Sequence, residues 1–425
     1  MLTLQTIIML IFILLVMSLM GEFLGSSVEE SEEESSRITI CDLDDTEFTE
    51  SVLAYLEHPS ADMQNEVELI TLESSDYAAE LDRLGIKTFI VIPQGFTESI
   101  SSGEQAELIY ISRMTSVASM ANINTGSETA VSLIESAVKT ALYTDKVSKG
   151  ELTDEEVEVL ESPVNVVEQT VVGDSSAQIS QLLLYSSIYS QSLMMPLVVY
   201  ILILLGSQTM VNAVAGEKLD KTLETLLSAP VSRITVISAK MLAAAVVALF
   251  NAVIYMVGMQ SVTSSMTTTL SDDYTQIISS LGLAMTTKHY ILIGIQMLLS
   301  TLIALSISMI LGAFAKSVKS SQVLTMPIMF ASLFPFMAAM FVDISSLPGA
   351  VKYLLYAIPF THTFMATDNV IFGKTSLYMG GLIYQLVFLI ICMVIAIRVF
   401  TSDRIFTSSE SRLSFKRKAD KGEAV

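Results

Sequence analysis

Long apolar runs alternate with polar segments along the chain, and their lengths predict membrane-spanning helices. A helix rises 1.5 Å per residue, so about 20 apolar residues cross the hydrocarbon layer of a membrane. None of the runs shows the short apolar–polar alternation that is typical of membrane β-barrels. We therefore predict six transmembrane helices, at Leu2–Leu24, Leu193–Asn212, Ile234–Met259, Tyr290–Phe314, Val323–Val342 and Leu377–Val399.

The composition agrees with an α-helical polytopic membrane protein, since 52% of the 425 residues are hydrophobic and only 16% are charged. The first apolar run has no Lys or Arg before it and no Ala-x-Ala sequence at its end. A basic start and an Ala-x-Ala cleavage site are both features of cleaved secretory signals, and this run has neither. We expect residues 1–24 to be an uncleaved first transmembrane helix.

A long polar segment separates the first two apolar runs. It begins with residues 25–36, where the run EESEEESS predicts an extended linker because clustered like charges repel one another. From residue 37 to residue 185 we predict an α/β domain with a partly parallel sheet, because strand patterns (RITICDLD, VELITL, IKTFIVIP) alternate with helical ones. After a fourth strand, we expect helix from Ser116 to Gln191.

The distribution of charge predicts which side of the membrane each segment occupies. About 32 acidic and 7 basic residues lie between Gly25 and Tyr185, so this segment is more negative than the whole chain, whose net charge is −21. Positive residues are concentrated in three other places: at Lys218, Lys221 and Arg233, at Lys316 and Lys319, and in the basic tail, 401–425. Positively charged loops face the cytoplasm. In a cytoplasmic membrane, six spans then place both termini inside and the acidic domain outside.

The sequence contains no pattern that indicates catalysis or a metal site. It has no Cys/His ligand spacing and no Gly-x-Ser-x-Gly, and the nearest approach to a phosphate-binding loop, DNVIFGKT, lacks the first glycine. Asp42, Asp44 and Asp45 follow a strand and either cap the next helix, which we expect, or bind a cation. We predict no catalytic residue, no metal, no directly bound cofactor and no nucleic-acid partner.

The apolar spans contain amides but no Asp, Glu, Lys or Arg in their middles. Ion-driven carriers usually place ionisable groups at that depth, so we expect the energy for any transport to come from a partner. The amides either join helices by hydrogen bonds or line a path. They are Gln208, Asn212, Asn251, Gln296 and Gln385.

An amphipathic helix is predicted at residues 214–233, between the second and third spans. One of its faces is apolar (Leu219, Leu223, Leu226, Leu227) and another is charged (Glu217, Lys221, Glu224). Pro230 ends the helix. Such a helix either lies against membrane lipid or binds a protein. The alternating signs of its charges favour a protein.

This segment carries a specific family resemblance. The sequence GEKLDKTLETLLSAPVSRITVISAKMLA resembles the cytoplasmic coupling segment of type-2 ATP-binding-cassette (ABC) exporter permeases. The matching residues are Thr222, Leu223, Glu224, Leu226, Leu227, Pro230, Val231, Ser232, Arg233 and Lys240. The stretches FIVIPQGFTESISSGEQAELIY and YAIPFTHTFMATDNVIFG are also similar to that family. The layout resembles the sodium-extruding subgroup and its drug- and lipid-exporting relatives.

The resemblance implies a permease subunit without its own ATPase site. Its partners are a cytosolic ABC ATPase, which binds ATP and Mg, and a second permease copy or a paralogue. Glu217, Leu223, Glu224, Leu226, Leu227, Pro230 and Arg233 then contact the ATPase, and Lys316 and Lys319 form a second contact. Transport is directed outward, and the cargo is sodium, a lipid, a drug or a peptide.

Residues 234–400 hold the last four spans and an outer segment near 343–375. This segment is too short to cross the membrane twice, so it either dips partway in or lies on the surface as a helix. Pro348, Pro359, His362 and Asp368 are candidates for an outer gate. The alternative to a transporter is a membrane receptor or anchor whose outer domain senses a ligand, although six spans exceed what that task needs.

Overall fold

The computed structural model describes residues 37–57, 66–116, 125–149, 163–220, 232–267, 272–345, 347 and 349–401. These residues form two compact units. The first unit comprises the described residues within Met1–Ser190 and Leu270–Ala284, and the second those within Gln191–Thr269 and Met285–Val425. The polar connection between the third and fourth predicted spans therefore belongs to the first unit.

The first unit is built on a mixed six-stranded sheet, as far as the described residues extend. The strands are β1 Arg37–Asp42, β2 Glu66–Leu69, β3 Thr88–Ile92, β4 Ala106–Arg113, β5 Val164–Val172 and β6 Ser175–Ala177, in the order β2-β1-β3-β4-β5-β6. Strand β1 pairs in parallel with β2 and β3, and β4 pairs in parallel with β5. The pairs β3–β4 and β5–β6 are antiparallel. The predicted partly parallel sheet is confirmed.

The helices of this unit are α1 Glu47–Glu57, α2 Tyr77–Leu84, α3 Phe96–Ser101, α4 Thr125–Lys149 and, from the second region, α7 Asp272–Ser280. Local signals explain their ends. The Asp76 side chain accepts hydrogen bonds from the first backbone amides of α2, and Gly85 ends the helix in the left-handed conformation at φ 67°. A side chain at that φ is strained, so glycine is the expected terminator.

The expectation of helix from Ser116 to Gln191 is wrong for residues 164–177. These residues form β5 and β6, which are joined by a two-residue turn at Gly173 and Asp174. The turn needs a positive φ, and Gly173 has φ 57°. The β-branched run VNVVEQTVV and the Gly-Asp turn were the available strand signals. The parallel partner β4 supplies the pairing that a local helical pattern could not reveal.

The aspartate cluster caps a helix, but not the next one. Thr46 caps α1 instead, since its hydroxyl oxygen accepts from the Thr49 amide. Asp44 reaches α3, where it accepts hydrogen bonds from the Gly95 amide at 2.7 Å and the Thr97 amide at 3.0 Å. Burial alone raises the pKa of Asp44, but the Thr97, Gly95 and Thr46 hydrogen bonds outweigh it, so the pKa lies below its ordinary value.

The second unit consists of helices. They are α5 Gln181–Leu219, which begins in the first unit, α6 Arg233–Thr267, α8 Thr287–Ala313, α9 Val318–Leu324, α10 Met326–Phe341, α11 Gly349–Tyr356, α12 Pro359–Phe364, α13 Ala366–Ile371 and α14 Thr375–Thr401. Among the described residues, five stretches are long and apolar enough to cross a membrane. These are Met194–Leu219, Ser238–Gly258, Thr287–Ala313, Ser320–Phe341 and Thr375–Phe400.

Five of the six predicted spans thus correspond to long apolar helices, and these follow an N-terminal mixed α/β domain. The largest difference in boundaries is in α5, whose apolar stretch continues to Leu219 instead of ending at Asn212. The predicted span at Leu2–Leu24 and the linker at 25–36 lie outside the described residues, as does the tail at 402–425.

Candidate functional site

Among the described residues, the predicted functional positions fall into two groups near opposite ends of the helices of the second unit. Glu217, Lys316, Pro359, His362 and Asp368 are described with their side chains, whereas only the backbones of Arg233 and Lys319 are described. The remaining predicted positions lie outside the described residues, namely Leu223, Glu224, Leu226, Leu227, Pro230 and Pro348. The described residues nevertheless include the end of α5 and the start of α6, which flank the amphipathic segment.

Glu217 forms an ion pair with Lys240. Glu217 lies in the final turns of α5 and Lys240 lies early in α6, so the pair joins the two helices that flank residues 221–231. Their side chains are 39% and 24% exposed. The pair therefore lies partly out of water, where an ion pair is stronger than on an open surface.

Lys218 connects the same end of α5 to a third helix. Its Nζ donates a hydrogen bond of 2.6 Å to the carbonyl oxygen of Ala313, the last residue of α8. The carbonyls at a helix C-terminus have no partners within the helix and carry partial negative charge, so a lysine is well placed there. This contact also brings α5 close to the connection that contains Lys316.

The connection after α8 is ordered by its own side chains. Ser317 and Ser320 form a capping box at the start of α9, and the Ser320 hydroxyl accepts from the Lys316 amide at 2.9 Å. Ser321 then donates a hydrogen bond of 2.9 Å to Asn212 Oδ1 of α5. Asn212 therefore joins two helices, which is one of the two roles predicted for the amides in the spans.

Glu217, Lys218, Lys240, Ala313 and Lys316 define what we call the hairpin end of the second unit. The Lys218–Ala313 hydrogen bond places the predicted segment 214–233 near the second predicted contact, because Ala313 lies three residues before Lys316. The opposite direction of α6 relative to α5 is shown by the Tyr255 hydroxyl, which lies far along α6 and donates to the Met194 carbonyl at the start of the apolar stretch of α5.

A cavity of about 400 Å³ lies between α5, α6 and α8, and Glu217 and Lys240 line it. Its walls are mainly apolar and contain many small residues, including Gly206, Ala244 and Ala252. Asn251 also lines the cavity. The volume lies at the lower end of the range for small-molecule pockets, about 300–1,000 Å³.

The outer segment at residues 343–375 begins and ends at one charged cluster. Lys374 Nζ lies 3.5 Å from Asp343 Oδ2 and 3.3 Å from Asp368 Oδ2. The Asp343 carboxylate also accepts a hydrogen bond of 2.8 Å from the Ser345 amide. These contacts hold the first and last residues of the segment together, so the segment leaves and re-enters the helical bundle at the same place.

Between these ends, α12 and α13 are buried against α8 and α14. Gln385 of α14 is fully buried, and its Nε2 donates to the Pro359 carbonyl at 2.8 Å and to the Thr363 hydroxyl at 2.7 Å. Thr363 in turn donates to the hydroxyl oxygen of Ser300 in α8 at 2.9 Å. The outer segment is therefore joined to two spans by buried polar contacts.

His362 lies at the same junction. Its Nε2 donates to the Tyr356 carbonyl at 3.1 Å, and its ring centroid is 5.0 Å from that of Tyr384. A side chain at Gly381 would meet both His362 and the Gln296 amide at 3.0 Å. The absence of a side chain at Gly381 thus permits the outer segment and α8 to approach the backbone of α14 closely.

We expect the substitution Gln385→Leu to destabilise the second unit by about 1–3 kcal/mol, because it leaves the buried Pro359 carbonyl without its donor. The measurement is thermal unfolding of the purified full-length chain. Gln322→Leu is the matched control, since Gln322 is exposed, and should shift stability by less than about 0.5 kcal/mol. Equal shifts for the two variants would contradict a structural role for the Gln385 amide.

The described residues contain no group of three or more His, Cys, Asp or Glu side chains that could hold a metal ion. The two cysteines, Cys41 and Cys392, are buried and free.

Comparison with known families decides what kind of membrane protein carries this arrangement. The profile of the ABC-2 family transporter protein matches residues 1–398. The chain belongs to this family. It is an ABC-2 permease, the multi-pass membrane component of a transporter. Permeases of this family typically lack an ATPase domain and in general pair with ATPase subunits.

One solved structure with a detectable similarity is the crystal structure of a domain assigned to an ABC type-2 transporter of Thermotoga maritima MSB8. It is 22% identical, with a TM-score of 0.28, and the similarity covers 36% of this permease and 99% of that chain. No curated protein sequence matches the permease significantly.

Proposed function

We propose that this permease is the transmembrane subunit of an ABC exporter that moves its cargo outward across the cytoplasmic membrane. A separate cytosolic ATPase, which binds ATP and Mg, supplies the energy. Both termini and the hairpin end face the cytoplasm, and the α/β domain lies outside. A second permease subunit completes the path.

The observation that carries this proposal is the set of contacts at the hairpin end. The Glu217–Lys240 ion pair bridges the two helices on either side of residues 221–231, and the Lys218–Ala313 hydrogen bond adds α8. A force applied to the amphipathic segment therefore acts on three membrane helices together. Such a connection suits a permease that is moved by another protein.

In the proposed mechanism, the segment that follows Glu217, up to Arg233, occupies a cleft on the ATPase. Leu226 and Leu227 supply an apolar anchor, while Glu224 and Arg233 pair with charges of the ATPase. Glu217 is already paired with Lys240, so we assign it the task of holding the two helices and not that of contacting the ATPase directly. Closure of the ATPase domains on ATP then tilts α5 and α6.

The outer segment is proposed to dip partway into the membrane and to act as a gate for release. The burial of α12 and α13, and the closure of the segment by Lys374, support a dip in preference to a helix on the surface. Pro359 and His362 lie where α11 passes into α12, so a change of angle there would move the segment relative to Gln385.

The test of the proposal is the substitution Glu224→Lys. Because it reverses a charge that we assign to the ATPase interface, we expect at least about a ten-fold loss of ATPase recovered with the tagged permease, at unchanged membrane insertion. The control is Asp174→Lys, which makes the same charge change in the exposed β5–β6 turn and should leave recovery unchanged.

Normal recovery of the ATPase with the Glu224→Lys permease would contradict the proposal, as would nucleotide hydrolysis by the permease alone. The cargo is identified by reconstituting the permease and its ATPase in liposomes. Sodium, lipid, drug and peptide candidates are then compared for stimulation of ATP hydrolysis and for movement across the membrane.

A further inference from the structure

We propose that the cavity between α5, α6 and α8 is a binding site for one membrane phospholipid with an anionic headgroup. One acyl chain of the lipid fills the cavity, and its phosphate lies at the hairpin end. The lipid stays with the permease and is not its cargo. The inference goes beyond the proposed function, because it rests only on the geometry of the second unit and on its place in a membrane.

The cavity is a long slot that follows the direction of the helices. Its lining extends from Leu202 to Glu217 on α5 and from Lys240 to Ala252 on α6. At 1.5 Å per residue, these lengths are about 22 Å and about 18 Å. A volume of about 400 Å³ over a length of about 20 Å leaves a mean cross-section of about 20 Å². Carbon atoms in contact lie about 3.5–4.0 Å apart, so a slot about 4–5 Å wide accommodates a single hydrocarbon chain.

The walls of the slot suit hydrocarbon. Between Lys240 and Asn251, α6 lines the slot with alanine and valine side chains alone. The hydroxyls of Thr209 on α5 and Thr301 on α8 each donate to a carbonyl of their own helix at 2.8 Å, so these donors are already used. The apolar path from Lys240 to Asn251 is about 16 Å long. A strongly polar ligand would find few partners along this path, whereas an acyl chain needs none.

The slot is accessible to membrane lipid from the side. Val247 of α6 and Leu205 of α5 both line it, and their side chains are 61% and 58% exposed. Both residues lie within stretches that are long and apolar enough to cross a membrane. An empty slot would lack dispersion contacts along its walls, and an acyl chain that enters from the bilayer supplies them.

The charges at the hairpin end favour an anionic headgroup. The Glu217–Lys240 ion pair closes the slot at this end, and Lys218 and Lys316 lie near enough to repel each other. Among the described side chains at or beside the hairpin end, four are cationic and two are anionic, namely Lys218, Lys240, Lys316, Arg398, Glu217 and Asp220. Basic clusters at the ends of membrane helices attract anionic lipid headgroups. A phosphate at this end offsets the excess of positive charge.

The direct test is the amount of phospholipid retained by the full-length permease, purified in detergent without the ATPase. Native mass spectrometry identifies the bound lipid. We expect phosphatidylglycerol to remain on the unmodified permease after washing, and Val247→Trp to lower its retention at least about five-fold, because the larger side chain overfills the slot.

Val246→Trp is the matched control. Val246 is the adjacent residue of α6 and is 60% exposed, but it does not line the slot, so its substitution should leave lipid retention unchanged. Because both valines are exposed, neither substitution inserts a side chain into the packed core. Equal retention by the two variants would overturn the proposal, as would the absence of retained phospholipid from the unmodified permease.

Thermal unfolding with added lipid separates the roles of headgroup and chain. Phosphatidylglycerol should stabilise the delipidated permease at concentrations at least about five-fold lower than phosphatidylcholine, and Lys316→Glu should abolish this preference. Lys288→Glu is the control, since it makes the same charge change at the opposite, exposed end of α8. Equal stabilisation by glycerol phosphate, which has no acyl chain, would indicate a simple anion site and overturn the proposal.

Addition of the ATPase and ATP distinguishes a resident lipid from cargo. We expect the retained phospholipid to stay on the permease during ATP hydrolysis, and its ATP-dependent loss would overturn the proposal. The retention measurements use no ATPase, so they are independent of the coupling test. Normal recovery of the ATPase with Glu224→Lys, together with loss of lipid from Val247→Trp alone, would refute the proposed coupling and leave the lipid site standing.

Discussion

The substitution Lys240→Glu is expected to lower the stability of the permease by about 1–3 kcal/mol, between the values typical of exposed and buried ion pairs. It places a second carboxylate against Glu217 in a partly buried position, where the two negative charges repel each other. The connection between α5 and α6 at the hairpin end is then lost, so we also expect recovery of the ATPase with the permease to fall. Thermal unfolding and co-purification measure the two effects.

The combined reversal, Glu217→Lys with Lys240→Glu, separates the pair from the individual residues. It restores opposite charges, so we expect it to recover most of the stability lost in the single variant. The control is Lys139→Glu in α4. Its partner Glu135 lies one turn away on the same helix, both side chains are partly exposed, and the pair contributes about 0.5 kcal/mol or less. A combined variant no more stable than Lys240→Glu would show that the ion pair does not hold α5 and α6 together.

The second large effect is expected at Gly312, where α8 crosses α5. A Cβ atom at Gly312 would lie 2.9 Å from Cβ of Val214 and 3.0 Å from the carbonyl oxygen of Val211. One of these neighbours is backbone and cannot rotate away, so the two helices must separate. We expect Gly312→Ala to destabilise the permease by about 1–2 kcal/mol, since overpacking outweighs the gain in helix propensity.

Gly258→Ala is the matched control, because Gly258 lies in a membrane helix with no atom within 4 Å of the added Cβ. There only the propensity gain of up to about 1 kcal/mol remains, so the variant should be unchanged or slightly more stable. Thermal unfolding of both purified variants provides the comparison. Equal destabilisation at the two glycines would mean that the α5–α8 contact is looser than the structure indicates.

Much of the architecture could be predicted from local pattern. Five spans and the strands β1 to β3 follow from the period and length of apolar runs, because burial on a helix or sheet face leaves a regular trace in the sequence. The pairing of β5 with β4 could not be predicted in this way. The run VNVVEQTVV was expected to be helical, and its strand state depends on a partner more than 50 residues earlier in the chain.

In the candidate site, too, local sequence predicts individual residues but does not predict their long-range partners. Glu217, Lys316 and the gate residues were selected from charge, motif and resemblance, but their partners were not. The sequence shows Lys218 as one of a group of positive charges, and nothing near it in sequence indicates that it donates to Ala313, 95 residues later. A positive residue at the end of a helix is a general signal, and it does not identify which carbonyl it will meet.

The sequence alone determined that this is a helical membrane protein with an α/β domain. Apolar side chains are removed from water on folding, so the length and period of apolar runs indicate each helix and strand locally. The tertiary structure decided which helix ends meet, why Glu217 pairs with Lys240, and which amides are left on an exposed face. These contacts depend on the packing of segments far apart in the chain. The Glu217–Lys240 ion pair brings α5 next to α6, and the absence of a side chain at Gly312 allows α8 to lie close to α5.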